Sequence, residues 1–565
     1  MRSLLIALGI VVVAALGLVG PDLLRGALAA NTQPIVQQRG AASAASGEPS
    51  AIAATAATAA TAASAAAVAA ERGAQRARTS QSHDLPLPQD LEVALRRSGL
   101  PASAVSFYAE AVDSNIARAG SSNVAFGASG TDPTDERALA LLPLAAPVLS
   151  WQAEVPRNPA SVMKLVTSLV ALDELGPTYV WSTEFLATAP VVNGTLDGDL
   201  VLRGHGDPYL MAQDAWTMVR ALRKTGLKTI TGSLIVDDTY FQLPPEDPAA
   251  FDGRPNKPYN TLPSAVLLNL KYLELTLRPD GNTARFETDP PISSLDVVSA
   301  VRLTNDACSR GRRNGVQLQI PDPATANTVR VTGVYPRRCG PITWTRTLMT
   351  HDRYALGLFT ALWREMGGEF RGQQKPGPVP ASARVVLRWT GRPLADSIRP
   401  MNKSSNNVMA RLLLLTLGAE RYGPPATPQK GAQAVADYVT RLGMDPIAVH
   451  VVNGSGLSRD ERVTARLLGS LLVRGARMPF AAEFISSLSV AGYDGTTRRR
   501  FRGREEAGAM HLKSGRLNDV AGLAGYVRAR SGRMYVVVGF VNHPGVARGV
   551  GEPLLNALVQ SVYRR

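Results

Sequence analysis

Histidine is scarce in this chain. Six histidines are scattered over 565 residues, with no H-E-x-x-H array and no metal-ligand spacing, so no metal site and no cofactor is expected. No G-x-S-x-G occurs either, which removes the nucleophile elbow of Ser-His-Asp hydrolases. Lysine is thin: nine of the 61 basic residues are lysines, and the formal net charge of +15 comes mostly from arginine. The arginines are dispersed apart from "RGRR" at 310–313 and "RRR" at 498–500, and no RNA-binding motif accompanies them. No nucleic-acid partner is expected, and the charge implies no more than mild attraction to an anionic surface.

Cysteine is limited to Cys308 and Cys339. The N-terminus supplies the compartment in which they are read. Arg2 precedes the apolar run "LLIALGIVVVAALGLVG" and the A-x-A-like "ALAA", the pattern of a secretory signal peptide over 1–29, cleaved after Ala29. A retained membrane anchor is the alternative, and the run is short for a span. In an oxidising compartment an even pair is expected as one disulfide, Cys308–Cys339, closing a loop of about thirty residues and adding roughly 3 kcal/mol.

Residues 30–84, with "AATAATAATAASAAAVAA" at their centre, carry no apolar stripe and read as a low-complexity Ala/Thr-rich linker. Helical periodicity begins at "QDLEVALRRSGL" (89–100), and "VSFYAEAV" (105–112) alternates as a strand. A Gly/Ser/Asp-rich stretch (116–145) reads as a long loop, and "PVLSWQAEVP" (147–156) as a returning strand. "NPASVMKLVTSLVAL" (158–172) is an amphipathic helix with Pro159 near its first turn. From about 183 short strands with turn signals dominate. Near 383 the texture returns to mixed α/β with "ARVVLRWTG", the apolar helix "SSNNVMARLLLLTLG", a C-terminal hairpin and a last helix. A mixed α/β domain is thus expected to be split by a β-rich insertion of roughly two hundred residues.

The helix at 158–172 holds the chain's only Ser-x-x-Lys, Ser161 and Lys164. Positions i and i+3 share a helix face, and a lysine whose pKa is lowered by burial or by a second cation can take the proton of a neighbouring serine. Such a pair gains meaning with S-x-N and K-T/S-G motifs downstream. Ser405-Asn406-Asn407 stands where a loop enters the apolar helix, and Lys513-Ser514-Gly515 precedes the hairpin as an edge-strand candidate. The literal Lys224-Thr225-Gly226 comes before the S-x-N motif, the wrong order, and reads as a helix end. Ser404-Ser405-Asn406 overlaps the second motif by one residue, and Ser121-Ser122-Asn123 lies in the 116–145 loop.

With these motifs the chain, over roughly 86–562, resembles the class C low-molecular-mass penicillin-binding proteins, D-alanyl-D-alanine carboxypeptidases that also cut peptidoglycan cross-links. "GHGDPYL" (204–210), "GSLIVDD" (232–238), "NGSGLSR" (453–459), "DGTTRRRF" (494–501) and "LAGYV" (523–527) add to the likeness. So does the large insertion between the first two motifs. Val408-Met409-Ala410 fixes the second motif on Ser405 and Asn407 rather than Ser404. Ser514 in place of the commoner Thr, and His205 in place of Gly, are small departures.

The resemblance implies a penicillin-binding, serine β-lactamase-like transpeptidase fold of the α/β (α+β) class, an antiparallel sheet flanked by helices and split by a two-domain insertion. The expected parts are a catalytic domain (85–183 and 383–565), a second domain (184–240 and 346–382) and a nested third domain (241–345). It implies Ser161 as nucleophile, Lys164 as base, Ser405 as proton relay, and Asn407 and Lys513 as the polar, positive surroundings. Ser514 would bind the substrate carboxylate, the backbone N–H groups of Ser161 and Arg516 would form the oxyanion hole, and the strand through Gly515 and Arg516 would pair with the substrate. The expected activity is a serine DD-peptidase acting on D-Ala-D-Ala of peptidoglycan stem peptides or on D-Ala cross-links, with β-lactams as inhibitors. The expected location is the periplasm, with no integral span after signal cleavage; loose membrane association and a dimer are compatible with it. Two rivals remain: a β-lactamase or esterase of the same fold, disfavoured by the insertion, and a non-catalytic wall-binding module, disfavoured by the intact motifs.

Overall fold

The structure, a computed structural model, describes residues 84–112, 146–309, 311, 315–321 and 327–565, all within the unit Ala70–Arg565. The expected signal peptide, residues 30–83 of the linker, and the 116–145 loop with its Ser121-Ser122-Asn123 lie outside the described residues.

Helix α1 (Gln89–Ser98) leads to β1 (Val105–Ala111), β2 (Leu149–Trp151) and α2 (Met163–Leu175). The inserted part holds β3 (Ser182–Ala187), β4 (Leu200–Gly204), α3 (Ala212–Lys224), β5 (Leu234–Asp237), β6 (Tyr272–Asp280), β7 (Thr283–Asp289), β8 (Asp296–Thr304), β9 (Val316–Gln319), β10 (Thr328–Pro336), β11 (Ile342–Thr347), α4 (His351–Glu365), β12 (Gln374–Pro376) and β13 (Arg384–Thr390). The chain returns through α5 (Leu394–Ser404), α6 (Asn407–Tyr422), α7 (Pro428–Arg441), α8 (Ala465–Arg477) and α9 (Ala481–Ser487). Strands β14 (Ser489–Val490), β15 (Met510–Arg516), β16 (Val520–Arg528) and β17 (Met534–Asn542) follow, and α10 (Gly551–Tyr563) ends it. Several two-residue strands complete the set.

A six-stranded antiparallel sheet, β2-β1-β17-β16-β15-β14, organises the two flanks of the chain. It is covered on both faces, which explains why β16 and β17 read as near-continuous apolar runs rather than alternating ones. Successive side chains of β17 go to opposite sides. Val536, Val538 and Phe540 join a core with Val166 and Leu169 of α2 and Leu412 and Leu413 of α6, while Val537 and Val541 pack with Leu91 of α1 and Leu554 and Leu558 of α10. Truncating such a residue, Leu523 for example, costs about 2–5 kcal/mol.

In the insertion, β12-β5-β4-β3-β13 form a five-stranded mixed sheet, and β7-β6-β11 and β8-β10-β9 form two three-stranded sheets. The strand "ARVVLRWTG", expected to start the returning domain at 383, instead pairs as β13 with β3 and extends the insertion's sheet. Its Leu387 and Trp389 pack on that sheet's core, which a texture change cannot reveal. The buried residues of the five-stranded sheet and of 272–347 merge into one apolar cluster containing Phe185, Leu202, Leu275, Val331, Tyr335 and Trp363. Phe241, Ala265, Leu267 and Leu270 pack instead on the helical core beside α2 and α6. Only Leu149–Trp151 of the strand expected at 147–156 is paired, because Gln152 adopts a left-handed φ of 44° and turns the chain. Cys308 and Cys339 are disulfide-bonded, with Cα atoms 5.0 Å apart.

Candidate active site

Three segments far apart in sequence meet at one cleft. Ala160–Val162 form a 3₁₀ turn that runs into α2, so Ser161 sits at the helix mouth while Lys164 lies one turn on, fully buried. Ala160 holds a left-handed φ of 46°, an uncommon state for a side-chain-bearing residue that the surrounding packing must enforce. The loop at Gly456 presses on this turn: a Cβ there would stand 1.8 Å from the Ala160 carbonyl oxygen. On another side Gly515 of β15 packs against it, where a Cβ would come within 2.9 Å of the Ser161 nitrogen.

Lys164 Nζ donates to Asn407 Oδ1 at 2.7 Å and to the Ser455 carbonyl, and lies 3.1 Å from Ser161 Oγ. A neutral amine has two N–H groups and one lone pair. With both N–H groups taken by Asn407 and Ser455, the lone pair is left facing the Ser161 hydroxyl. Burial above all, and then the charge of Lys513, hold the Lys164 pKa well below its ordinary value, while Glu461 pulls the other way. The second lysine, Lys513, is also fully buried, donates to Ser405 Oγ at 2.8 Å and to the Ser514 carbonyl at 2.7 Å, and burial lowers its pKa to about 7. The charge of Lys513 thus disfavours a second charge on Lys164.

Ser405 caps α5 in the left-handed conformation with φ 59°, which separates its side chain from that of Ser404, the last residue of the helix. Asn406 caps α6 by accepting from the Met409 N–H at 3.1 Å, and this places Asn407 as the first helical residue, facing Lys164. Ser514 Oγ donates to Thr496 Oγ1 at 2.8 Å. Strand β14 pairs only with His511 and Leu512, so β15 from Lys513 to Arg516 has no strand partner on that side among the described residues. The structure brings Ser161, Lys164, Ser405, Asn407, Lys513, Ser514, Gly515 and Arg516 together. Lys224 is exposed at the end of α3, with Gly226 at φ 94°, as a helix end requires.

The cleft, of about 590 Å³, is lined by Ser161, Ser405, Asn407 and Arg516 and also by Phe251, Asp252, Arg254, Tyr259 and Arg459. None of these last five was among the expected site residues, although Arg459 ends the "NGSGLSR" stretch. They are tied to the chemistry by contact: Asn407 Nδ2 donates to the Tyr259 carbonyl at 2.9 Å, Tyr259 Oη donates to Asp252 Oδ2 at 2.7 Å, and Arg459 stacks over Phe251 at 4.9 Å. Glu461 is a further residue that sequence reasoning passed over. It is fully buried, and its Oε1 accepts from the N–H groups of Asn453 (3.0 Å) and Gly454 (2.8 Å). It therefore holds the turn that offers the Ser455 carbonyl to Lys164. In the sequence Glu461 stands between Asp460 and Arg462, in "DERVTAR", and nothing local marks it as buried. No group of His, Cys, Asp and Glu suited to a metal occurs among the described residues.

The D-Ala-D-Ala carboxypeptidase 3 (S13) family matches residues 138–560. The chain is 31% identical over 407 residues to the D-alanyl-D-alanine carboxypeptidase of Actinomadura sp. (strain R39), covering 69% of this chain and 74% of that protein. It is 25% identical over 387 residues to D-alanyl-D-alanine carboxypeptidase DacB of Haemophilus influenzae, covering 68% and 80%. The crystal structure of penicillin binding protein 4 from Haemophilus influenzae shares the fold, with a TM-score of 0.64 at 21% identity over 85% of this chain and all of that one.

Proposed function

The chain belongs to the D-Ala-D-Ala carboxypeptidase 3 (S13) family and is a serine-type D-Ala-D-Ala carboxypeptidase, and we propose that its acyl-enzyme forms on Ser161. The observation that carries this reading is the buried Lys164 amine, whose Nζ stands 3.1 Å from Ser161 Oγ and donates to Asn407 Oδ1 and the Ser455 carbonyl, so that in its neutral form the remaining lone pair can take the Ser161 proton. Ser161 Oγ attacks the carbonyl carbon of the penultimate D-Ala as its proton passes to Lys164. The oxyanion is stabilised by the backbone N–H groups of Ser161 and Arg516, each worth about 3 kcal/mol in the transition state. The C–N bond then breaks, and the leaving amine takes a proton through Ser405, which Lys513 orients. Water attacks the resulting ester, with the proton path run in reverse, and frees Ser161.

Lys513 in its charged form and the Ser514 hydroxyl hold the terminal carboxylate, and the open edge of β15 pairs with the substrate backbone. The natural substrate is a peptidoglycan stem peptide or a D-Ala cross-link. Phe251, Asp252, Arg254, Tyr259 and Arg459 contact whatever stands upstream of the scissile bond. A β-lactam presents its ring carbonyl and carboxylate in the same positions, so it acylates Ser161 and stays, since its leaving group remains tethered. The protein works in the periplasm after export. Among the described residues no helix is long and apolar enough to cross a membrane. The division into a catalytic domain and a two-part insertion belongs to the same reading.

Fluorescent-penicillin labelling with mass mapping of the adduct tests it. Ser161→Ala is expected to abolish labelling, and Lys224→Ala to leave it unchanged. An adduct on another serine, or a dead Lys224 variant, would show that the motifs have been assigned to the wrong residues.

A further inference from the structure

The segment 492–507 carries a feature that the hydrolytic chemistry does not use. Arg498, Arg499, Arg502 and Arg504 are exposed and surround a concavity of about 700 Å³ together with Gly492, Tyr493, Gly503 and Ala507. None of the four guanidinium groups makes an ion pair or a side-chain hydrogen bond among the described residues, whereas other surface arginines nearby do. Arg500 of the same run turns inward to Glu552 and to Asn556, and Arg530 pairs with Glu505. The local acids are committed elsewhere: Asp494 to Lys403 at 2.5 Å, Glu505 to Arg530, and Glu506 to Gln560 at 2.7 Å. Four positive charges thus line one hollow without an ion-pair partner among the described residues, and only Arg504 feels a nearby carboxylate, that of the buried Glu506.

The backbone gathers them. Phe501 is buried and holds a left-handed φ of 57°, a strained state for an aromatic residue. It reverses the chain between Arg498-Arg499 and Arg502, so that both sides of the turn flank the same hollow. Thr497, also buried, anchors the other end. The exposed Tyr493 ring, with 70% of its surface accessible, forms one wall.

We propose that this hollow is a docking site for a phosphodiester-bearing polyanion. Guanidinium groups arranged around a cavity can engage the several oxygens of a tetrahedral phosphate from more than one side, which a planar carboxylate does not offer. The concave shape, with one aromatic wall and no exposed aliphatic anchor in its lining, fits a polymer strand rather than a bilayer surface. The site adjoins the substrate strand: Thr496, whose hydroxyl accepts from Ser514, lies two residues before Arg498. A polymer held there would keep the enzyme on a phosphate-containing wall without entering the cleft. The inference is independent of the assignment of Ser161.

The test uses the full chain and fluorescently labelled poly(glycerol phosphate), with polyglutamate of similar length and phosphatidylglycerol vesicles as separate arms. Binding of poly(glycerol phosphate) should weaken with salt and weaken at least tenfold in Arg498→Ser/Arg502→Ser, with penicillin labelling intact. Arg302→Ser/Arg330→Ser, the same charge change on exposed strand positions of the insertion, should bind like wild type. Arg498→Lys/Arg502→Lys keeps the charge and the fold and should still lose several-fold, because lysine cannot form the paired contact. Equal losses in the two serine double variants, equal affinity for polyglutamate, no loss in the lysine variant, or dependence on the arginines for vesicles alone would each overturn the proposal.

Discussion

Changing Asn407 to Asp replaces an amide NH₂ by an oxygen and leaves the shape of the side chain almost unaltered, yet it places a carboxylate where Lys164 Nζ now finds a neutral acceptor at 2.7 Å. A full charge at that separation attracts an ammonium by about 6 kcal/mol at an effective dielectric near 20. Burial of the new carboxylate offsets part of this, leaving on the order of 3 kcal/mol in favour of protonated Lys164, about a hundredfold in its protonation equilibrium. The lone pair that should receive the Ser161 proton is then occupied. Asn407→Ala, by contrast, removes one acceptor and the donor to the Tyr259 carbonyl, at about 1–3 kcal/mol, and leaves Lys164 free to be neutral. Second-order acylation rates with a fluorescent penicillin at pH 7 should therefore fall by a hundredfold or more in the Asp variant, and further than in the Ala variant. Thermal melts of both establish that each is folded. An Asp variant that acylates as fast as the Ala variant or faster would refute the requirement for a neutral Lys164.

Further outcomes are expected at Lys513, at Glu461 and at the disulfide. The rate constant for acylation of the free enzyme, followed from pH 5 to 9, should decline above about pH 7, where Lys513 loses its proton and with it the charge that meets the ligand's carboxylate; a rate still rising at pH 9 would be incompatible with this. Because burial lowers the Lys513 pKa from its unfolded value near 10.5, the fold binds fewer protons than the unfolded chain between those values, so this residue's contribution to stability should rise with pH from about 7 to about 10.5. Glu461→Gln keeps an oxygen for the Asn453 and Gly454 N–H groups but removes a charge that raises the Lys164 pKa, so the acidic limb of acylation should move to lower pH. Burial raises the Glu461 pKa, so this residue's contribution to stability falls as pH climbs past about 4.5; the variant's melting temperature relative to wild type should improve as pH rises above that value, and a relative stability that does not change would count against a buried charge there. The double variant Cys308→Ser/Cys339→Ser opens a loop with a sequence separation of 31 and should lose about 3.5 kcal/mol in urea melts while retaining penicillin labelling, since neither cysteine lines the cleft.

That the motif residues meet in one cleft was legible in the sequence because each motif is short-range. Ser161 and Lys164 must share a helix face, Asn407 must follow a cap, and Lys513-Ser514-Gly515 must enter a hairpin, so each motif carries its own local geometry, and their order separates them from Lys224 and Ser404. The split of the sheet was legible for a similar reason: alternating and continuous apolar runs report how many faces of a strand are covered. What only the tertiary structure decided was long-range. Phe251, Asp252 and Tyr259 have no periodicity that points at Ser161; they reach the cleft because 241–270 packs on the helical core beside α2 and α6. The sheet to which 384–390 belongs depends on pairing with β3, about two hundred residues earlier, which no local pattern encodes. Glu461 and the four arginines of 498–504 look like ordinary charges in a string of letters. One is fully buried against a backbone turn and the others line a hollow without ion-pair partners among the described residues, and both facts follow from desolvation and neighbours that exist only once the chain has closed on itself.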